Sequence, residues 1–256
     1  MKNLVIVCAG EESLHENWTA GPDESLFDLA VIYYGERENR YRERADFYLM
    51  QKGLKWRLLH SFLGTMAGEM DSYDYVWFPD DDLMADTSSI NRLFEIMAEY
   101  ELDLAQPSLA PESYINHRIT RRRSSFLRYT NFVEVMAPAF SLPALKKCSP
   151  MFAEAVTGWG MDVIWPHKVN PTFEKDNVAI IDAVSVTHTR PLNLSGGFYG
   201  SLGKSPHEEM NALLKRYGLK LRPIAYKYRP RNAPSQIKRM LGYYRMLLAG
   251  RRGASY

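Results

Sequence analysis

The stretch YDYVWFPDDDLM, residues 73–84, decides how the rest of the chain is read. An aromatic and β-branched run predicts a buried strand, and three consecutive carboxylates, Asp80, Asp81 and Asp82, follow it directly. Adjacent carboxylates repel one another unless a cation, backbone donors or bulk water compensates them. Strand alternation would send Asp80 and Asp82 to one side and Asp81 to the other, with Pro79 stiffening the approach. Such a strand end can offer oxygens to a hard cation, Mg²⁺ or Mn²⁺, that bridges to a substrate diphosphate. It reads equally as an Asp-rich turn capping the helix that begins near Ser88.

Working outward, residues 4–9 (LVIVCA) and 26–34 (LFDLAVIYY) are short, apolar and β-branched, and Gly10 and Gly35 punctuate them as buried strands. Leu54, Leu58, Leu59 and Phe62 fall at helical spacing before the opening stretch. After it, Ser88 and Ser89 are N-cap candidates for a helix carrying Ile90, Leu93, Phe94 and Met97. DLAQPS reads as a short strand and residues 112–131 as a basic loop. FVEVMAPAFS is strand-like, with Pro138 demoting its later half. The helices PALKKCSPMFAEA and MDVIWPHKV and the strand VAIIDAVSVTH complete the order. This alternation predicts an α/β fold with an open, mostly parallel sheet and ligands outside the carboxyl ends of its strands.

The tail differs in character. Prolines 223, 230 and 234 make residues 222–234 read as a linker. Beyond it Ile237, Met240, Leu241, Tyr244, Leu247 and Leu248 share one helical face flanked by Lys238, Arg239, Arg245, Arg251 and Arg252. Residues 1–221 are therefore read as the main domain, and 222–256 as a linker with a basic amphipathic helix. That helix either lies on an anionic membrane surface through residues 234–256 or docks on its own domain.

Composition narrows the partners. The 256 residues carry 32 basic and 30 acidic side chains, a formal charge of +2, so a general attraction to nucleic acid is not indicated. The two cysteines, Cys8 and Cys148, have no metal-ligand spacing and suit reduced thiols in a cytoplasmic protein. No stretch approaches the roughly 20 apolar residues of a membrane span. The expectation is a soluble chain, or one peripheral on the inner face of a membrane.

Other residues carry candidate chemistry, each with a plainer alternative. In TGWGMDVIW, Gly158 and Gly160 permit a tight turn, Trp159 offers a flat face to a sugar ring, and Asp162 opens a helix where it could take a proton from an attacking hydroxyl. Asp162 would also suit a helix terminus electrostatically, and Trp159 the core. His188 ends a strand and is an acceptable ligand for Mn²⁺, although a lone strand-end histidine is commonly structural. The following glycine- and serine-rich run, with Arg190 and Lys204, suits either a lid over phosphate or an ordinary surface loop. Arg121, Arg122 and Arg123 could clamp phosphates or face solvent. Lys55 could meet a nucleotide phosphate or solvent.

Taken in order, the strand ending in DDD, the later GWGMD and the terminal VTH resemble nucleotide-sugar glycosyltransferases of the GT-A fold. More closely, KWRLLHSFL, YDYVWFPDDDL, QPSL, ITRRR, FVEVMAPAFS, GWGMD and IIDAVSVTHTRPL, over roughly residues 50–192, resemble an uncharacterised family of plants and bacteria. Its plant members are often labelled lysine-ketoglutarate-reductase trans-splicing-related, a label that says nothing about this chemistry. The resemblance implies a GT-A-like, Rossmann-like mixed sheet flanked by helices. It implies Asp80, Asp82 and His188 at a Mn²⁺ or Mg²⁺ ion, leaving open which two aspartates touch it. It further implies Asp162 as base and Glu134, in a strand beside the cleft, on acceptor hydroxyls.

These readings converge on a metal-dependent, inverting glycosyltransferase that moves a sugar from a nucleoside diphosphate sugar to a hydroxyl of a glycan or glycolipid. Lys55, Asp80, Asp81, Arg190 and Lys204 would meet the donor, and Glu134, Trp159, Arg121 and Arg123 the acceptor. A nucleotidyltransferase would use the same carboxylates but release pyrophosphate. A non-catalytic nucleotide-sugar-binding protein would share the fold.

Overall fold

Strand β1 (Asn3–Ala9) is buried at every residue, as a parallel strand covered on both faces must be. It pairs in parallel with β2 (Asp28–Tyr33) on one side and β4 (Tyr75–Trp77) on the other, and β2 pairs in parallel with β3 (Phe47–Met50). The computed structural model describes residues 1–191 and 205–231. Its other strands are β5 (Leu83–Met84), β6 (Leu104–Leu109), β7 (Ser125–Thr130), β8 (Ala139–Ser141), β9 (Val178–His188) and β10 (Ala225–Pro230). The sheet order is β10-β7-β9-β6-β8-β4-β1-β2-β3, with β5 attached to β9. Only β7 and β8 run against the other strands of that path. The carboxyl ends of β1, β2, β4 and β9 therefore open on one edge.

Helices α1 (Lys55–Thr65), α2 (Ala67–Met70), α3 (Thr87–Glu99), α4 (Leu142–Cys148), α5 (Met161–Val169) and α6 (Pro206–Tyr217) cover the sheet. An aromatic cluster fixes two of them. Trp56 of α1 packs against Trp165 of α5 (ring centroids 5.0 Å apart) and Phe152 (4.8 Å), and Trp165 packs edge-on to Phe140 of β8 (5.2 Å). Such pairs contribute about 0.5–1.5 kcal/mol each beyond their buried area. Because Trp56 follows Lys55 and Trp165 lies one turn after Asp162, this packing also sets the positions of those two charged residues.

Several expectations need correction. Helix α3 is capped by Asp86, whose carboxylate accepts from the Ser89 N–H at 2.7 Å, and not by Ser88 or Ser89. The basic stretch 112–131 contains an interior strand, β7, whose Arg128 is neutralised by buried Asp182 through a two-pronged pair (Nε–Oδ2 2.8 Å, Nη2–Oδ1 3.0 Å). A buried arginine erased the apolar alternation by which a strand is recognised. In FVEVMAPAFS only the end, β8, is extended, and Glu134 lies in the loop before it, not in a strand. Within the expected linker 222–234, β10 returns to pair with β7, its Pro230 tolerated at the end of an edge strand. Strand β3 and helix α6 had no sequence reading. Lys204 and the amphipathic segment 234–256 lie outside the described residues. Among the described residues no helix is long and apolar enough to cross a membrane.

Strand β9 bulges. Its partner on β6 passes from Pro107↔Ile181 to Ser108↔Ser185, leaving residues 182–184 unpaired on that side, and Ser108 Oγ holds the Val184 carbonyl at 3.0 Å. The bulge places Asp182 on Arg128 and frees the strand's last residues to pair with β5, Leu83 opposite His188.

Candidate active site

After β4 the chain leaves the sheet in a turn, so simple alternation does not apply to the three aspartates. Each carboxylate takes a separate partner. Asp80 Oδ1 is ion-paired with Lys55 Nζ, which also donates to the carbonyls of Val135 (3.2 Å) and Phe78 (3.4 Å). Asp80 keeps 39 % of its side chain accessible yet is surrounded deeply enough for burial to raise its pKa, the combination expected at the floor of a cleft. Lys55 opposes that rise, while the negative charge of Asp82 adds to it.

Asp81 turns to β1. Its Oδ2 accepts from the Gly10 N–H at 2.7 Å and from the Tyr34 hydroxyl at 3.3 Å, and Arg190 Nη1 stands 4.0 Å from Oδ1. Arg190 also donates to the Glu12 carbonyl, tying the end of β9 to the loop after β1. Burial raises the Asp81 pKa, against the lowering effect of the Gly10 N–H.

Asp82 turns to β9. Its carbonyl accepts from Thr189 Oγ1 (2.8 Å) and N–H (3.2 Å), and its Oδ2 lies 3.3 Å from His188 Nε2. His188 Nδ1 sits 2.8 Å from the Tyr114 carbonyl, so that nitrogen carries a proton and Nε2 is the one aimed at Asp82. Burial lowers the imidazole pKa, but the Asp82 contact outweighs it and the net result is a rise to about 9. Among the described residues Asp82 Oδ1 is buried without a partner.

Asp162 is the second residue of α5 and 5 % exposed. Gly158 (φ +85°) and Gly160 (φ +98°) make the preceding turn. A Cβ on Gly158 would overlap Trp56 Nε1 at 2.1 Å, and one on Gly160 would press on the Met210 backbone of α6 at 3.3 Å. Burial pushes the Asp162 carboxyl up to about 7 despite the backbone N–H groups of the helix start, and among the described residues its Oδ1 has no partner. Pro166 has no N–H to give the Asp162 carbonyl four residues back. That carbonyl instead accepts from Val133 N–H at 3.1 Å, which fastens the Glu134 loop to the helix.

Glu134 is 3 % exposed, its N–H held by Gln106 Oε1 at 2.5 Å. Burial and then the Asp162 charge push its carboxyl up to about 8, and among the described residues Oε2 is unpartnered. His188 and Asp80 also act on its charge, so Asp80, Asp82, Glu134, Asp162 and His188 form one electrostatic neighbourhood.

A cleft of ≈ 530 Å³ opens beside these acids, lined by Cys8, Tyr34, Lys52, Lys55, Asp80 and Asp81 among others. Both cysteines are free thiols pushed up to about 12 by burial, so neither is a ready nucleophile. Trp159 is half-buried edge-on to His207 of α6, with centroids 5.0 Å apart. Arg121 and Arg123 are exposed between β6 and β7, and Arg123 lines a separate cavity.

The donor set can be tested for a cation. Among the described residues no three His, Cys, Asp or Glu side chains converge as a ready-made site. The pair Asp82 and His188, with one orphaned carboxylate oxygen and an aimed Nε2, could hold a hard cation once that nitrogen gives up its proton. Asp80 is committed to Lys55 on at least one oxygen.

Sequence reading missed the Lys55–Asp80 pair, Gly10, Tyr34 and Gln106. Gly10 was the most accessible of these, since it ends β1 at the edge where ligands bind. A long-range ion pair such as Lys55–Asp80 leaves no local pattern.

The architecture is that of the GT-A glycosyltransferase fold. Staphylococcus aureus TarS 1–349, solved with UDP-GlcNAc, superposes with TM-score 0.53 at 15 % identity, over 84 % of this chain and 65 % of that one. Glucosyl-3-phosphoglycerate synthase from Mycobacterium tuberculosis, solved with Mn²⁺, UDP and glucosyl-3-phosphoglycerate, superposes with TM-score 0.55 at 14 % identity, over 90 % of each chain. The chain spans only 37 % of a longer TarS chain. No curated protein matches the sequence. The chain belongs to the family described as "Protein of unknown function (DUF707)", which matches residues 27–129 and 124–229.

Proposed function

We propose that the protein is a metal-dependent glycosyltransferase that moves a sugar from a nucleoside diphosphate sugar to an acceptor hydroxyl, with inversion. The observation that carries this reading is the meeting of Asp82 with His188 beside the cleft, within reach of the field of two buried, incompletely partnered carboxyls, Glu134 and Asp162. The fold, shared with proteins solved with UDP-GlcNAc and with UDP and Mn²⁺, supports it.

In this reading Asp82 and His188 hold a Mn²⁺ or Mg²⁺ ion, which would supply Lewis-acid stabilisation of the charge developing on the leaving nucleoside diphosphate. Lys55 neutralises Asp80 at the cleft floor, so that an anionic donor does not meet three uncompensated carboxylates. Arg190 and the Gly10 N–H do the same for Asp81, and Lys204 would add a cation from the neighbouring segment. Asp162 Oδ1 takes the proton of the acceptor hydroxyl as its oxygen attacks the anomeric carbon and the bond to the diphosphate breaks. General-base assistance of this kind contributes about 10²–10⁴-fold. Glu134, protonated at neutral pH, would donate a hydrogen bond to an acceptor oxygen, and Trp159 would flank the acceptor sugar. Arg121 and Arg123 lie apart from the cleft, so they would reach only a remote acidic part of a long acceptor. The basic amphipathic segment 234–256 would bring the enzyme to an anionic membrane surface carrying a glycolipid acceptor.

The test is a panel of nucleotide sugars, scored for Mn²⁺-dependent thermal stabilisation and then for hydrolysis or transfer. Release of a nucleoside diphosphate supports the proposal. Release of pyrophosphate would transfer the site to nucleotidyl chemistry, and tight donor binding without consumption would make the protein a binder.

A further inference from the structure

We propose that the trough between β7 and β10 is a second binding site, for a phosphate-bearing ligand. At ≈ 680 Å³ it is larger than the cleft beside Asp80, and it lies along the opposite border of the sheet. Arg118, Arg123 and Arg128 line it with Ser124, Ser125 and Tyr228, and among the described residues no acidic side chain does.

The three arginines are not equivalent. Arg128 is 2 % exposed and its guanidinium is spent on Asp182 and on the carbonyls of Ile119 (2.6 Å) and Arg121 (3.0 Å). Asp182 is in turn saturated, accepting also from Ser125 Oγ and from the Arg123 N–H at 2.9 Å. The Asp182 carboxylate beneath the trough is thus neutralised from below and cannot compensate the arginines above it. Arg118 and Arg123 have no ion-pair partner among the described residues, and both are exposed. Exposed Arg121 and Arg122 on the same loop add to the positive field.

Two guanidinium forks opening on one concavity, over a carboxylate that is already engaged, match the geometry of phosphate oxygens better than that of a neutral sugar. A solvated arginine run would be expected to spread over a convex surface rather than share a cavity with hydroxyl donors. The proposal concerns binding alone and does not rest on sugar transfer.

The test uses the full chain in EDTA, so that no divalent cation contributes. Pyrophosphate is titrated calorimetrically into wild type, Arg118→Ala/Arg123→Ala and Arg118→Lys/Arg123→Lys. Vesicles of phosphatidylcholine with and without phosphatidylglycerol are tested by sedimentation. Because both side chains are exposed, the variants should keep the wild-type melting temperature. The expected result is binding that weakens about tenfold or more in the alanine variant, with the lysine variant intermediate. If only phosphatidylglycerol vesicles distinguish wild type from the alanine variant, the phosphate belongs to a lipid headgroup; if only pyrophosphate does, to a soluble ligand. Equal binding by wild type and alanine variant in both arms, or none by either, overturns the proposal.

Discussion

Asp82 Oδ2 and His188 Nε2 face each other at 3.3 Å at the end of the β5–β9 ladder, and among the described residues the second oxygen of Asp82 has no partner. In the proposed enzyme this pair holds the divalent ion. Asp82→Asn and His188→Ala should each weaken Mn²⁺-dependent UDP binding by at least the ~10–100-fold that loss of a mere outer-shell partner costs. Calorimetric titration of UDP with and without Mn²⁺ checks this, and unaltered metal dependence in either variant removes that residue from the role.

Lys55 and Asp80 form a pair whose removal is asymmetric. Lys55→Met leaves a partly enclosed carboxylate and two carbonyls without their donor, and should cost about 1–3 kcal/mol by urea denaturation. Lys55→Met combined with Asp80→Asn should recover part of that loss. Simple additivity of the two single changes would show that they do not interact.

Asp162 has a folded-state pKa of about 7, above that of an exposed aspartate. The folded chain therefore keeps a proton that the unfolded chain loses, so this group's contribution is full below about pH 4 and declines as pH rises through about 7. Asp162→Asn should consequently raise the melting temperature by several degrees at pH 8 and by almost nothing at pH 4. Turnover should nearly vanish while donor binding survives. A variant destabilised at both pH values would contradict the assigned burial.

In the proposed enzyme the same carboxyl would set the pH profile of transfer. As a general base, Asp162 must be ionised, so kcat/KM should fall about tenfold per pH unit below about 7. Raised, flat activity down to pH 5 would exclude it as the base.

Glu209 of α6 accepts from the N–H groups of Val156 (2.8 Å) and Thr157 (2.7 Å) and from Thr157 Oγ1 (2.6 Å), and is 3 % exposed. It anchors the turn that leads to Asp162. Glu209→Ala should cost about 2–4 kcal/mol by orphaning these donors, measured by denaturation, and lower kcat more than donor affinity. Loss of donor binding alone would indicate a different role.

How much of this was legible in sequence depended on the range of the interaction. Buried strands β1 and β4 and helix α1 announce themselves by local periodicity, and DDD, GWGMD and VTH contribute Asp82, Asp162 and His188 to the candidate site. Strand β7 was hidden because Arg128 is matched by a residue far along the chain, and β10 because its bordering prolines imitate a linker. The division of the three aspartates among Lys55, Gly10 and His188 is likewise settled by tertiary partners. Pro166, which hands the Asp162 carbonyl to Val133, reads in sequence only as a helix defect.

The bulged strand β9 has a consequence for assembly. It carries Asp182 within the bulge and His188 beyond it, and Thr189 clasps a residue 107 positions earlier. Loop-closure entropy must be spent before such remote contacts return any stabilisation, a topology associated with slow folding. No N-terminal fragment ending before β9 can possess the Asp82–His188 pair, so acquisition of metal-dependent UDP binding during refolding would time the arrival of that strand.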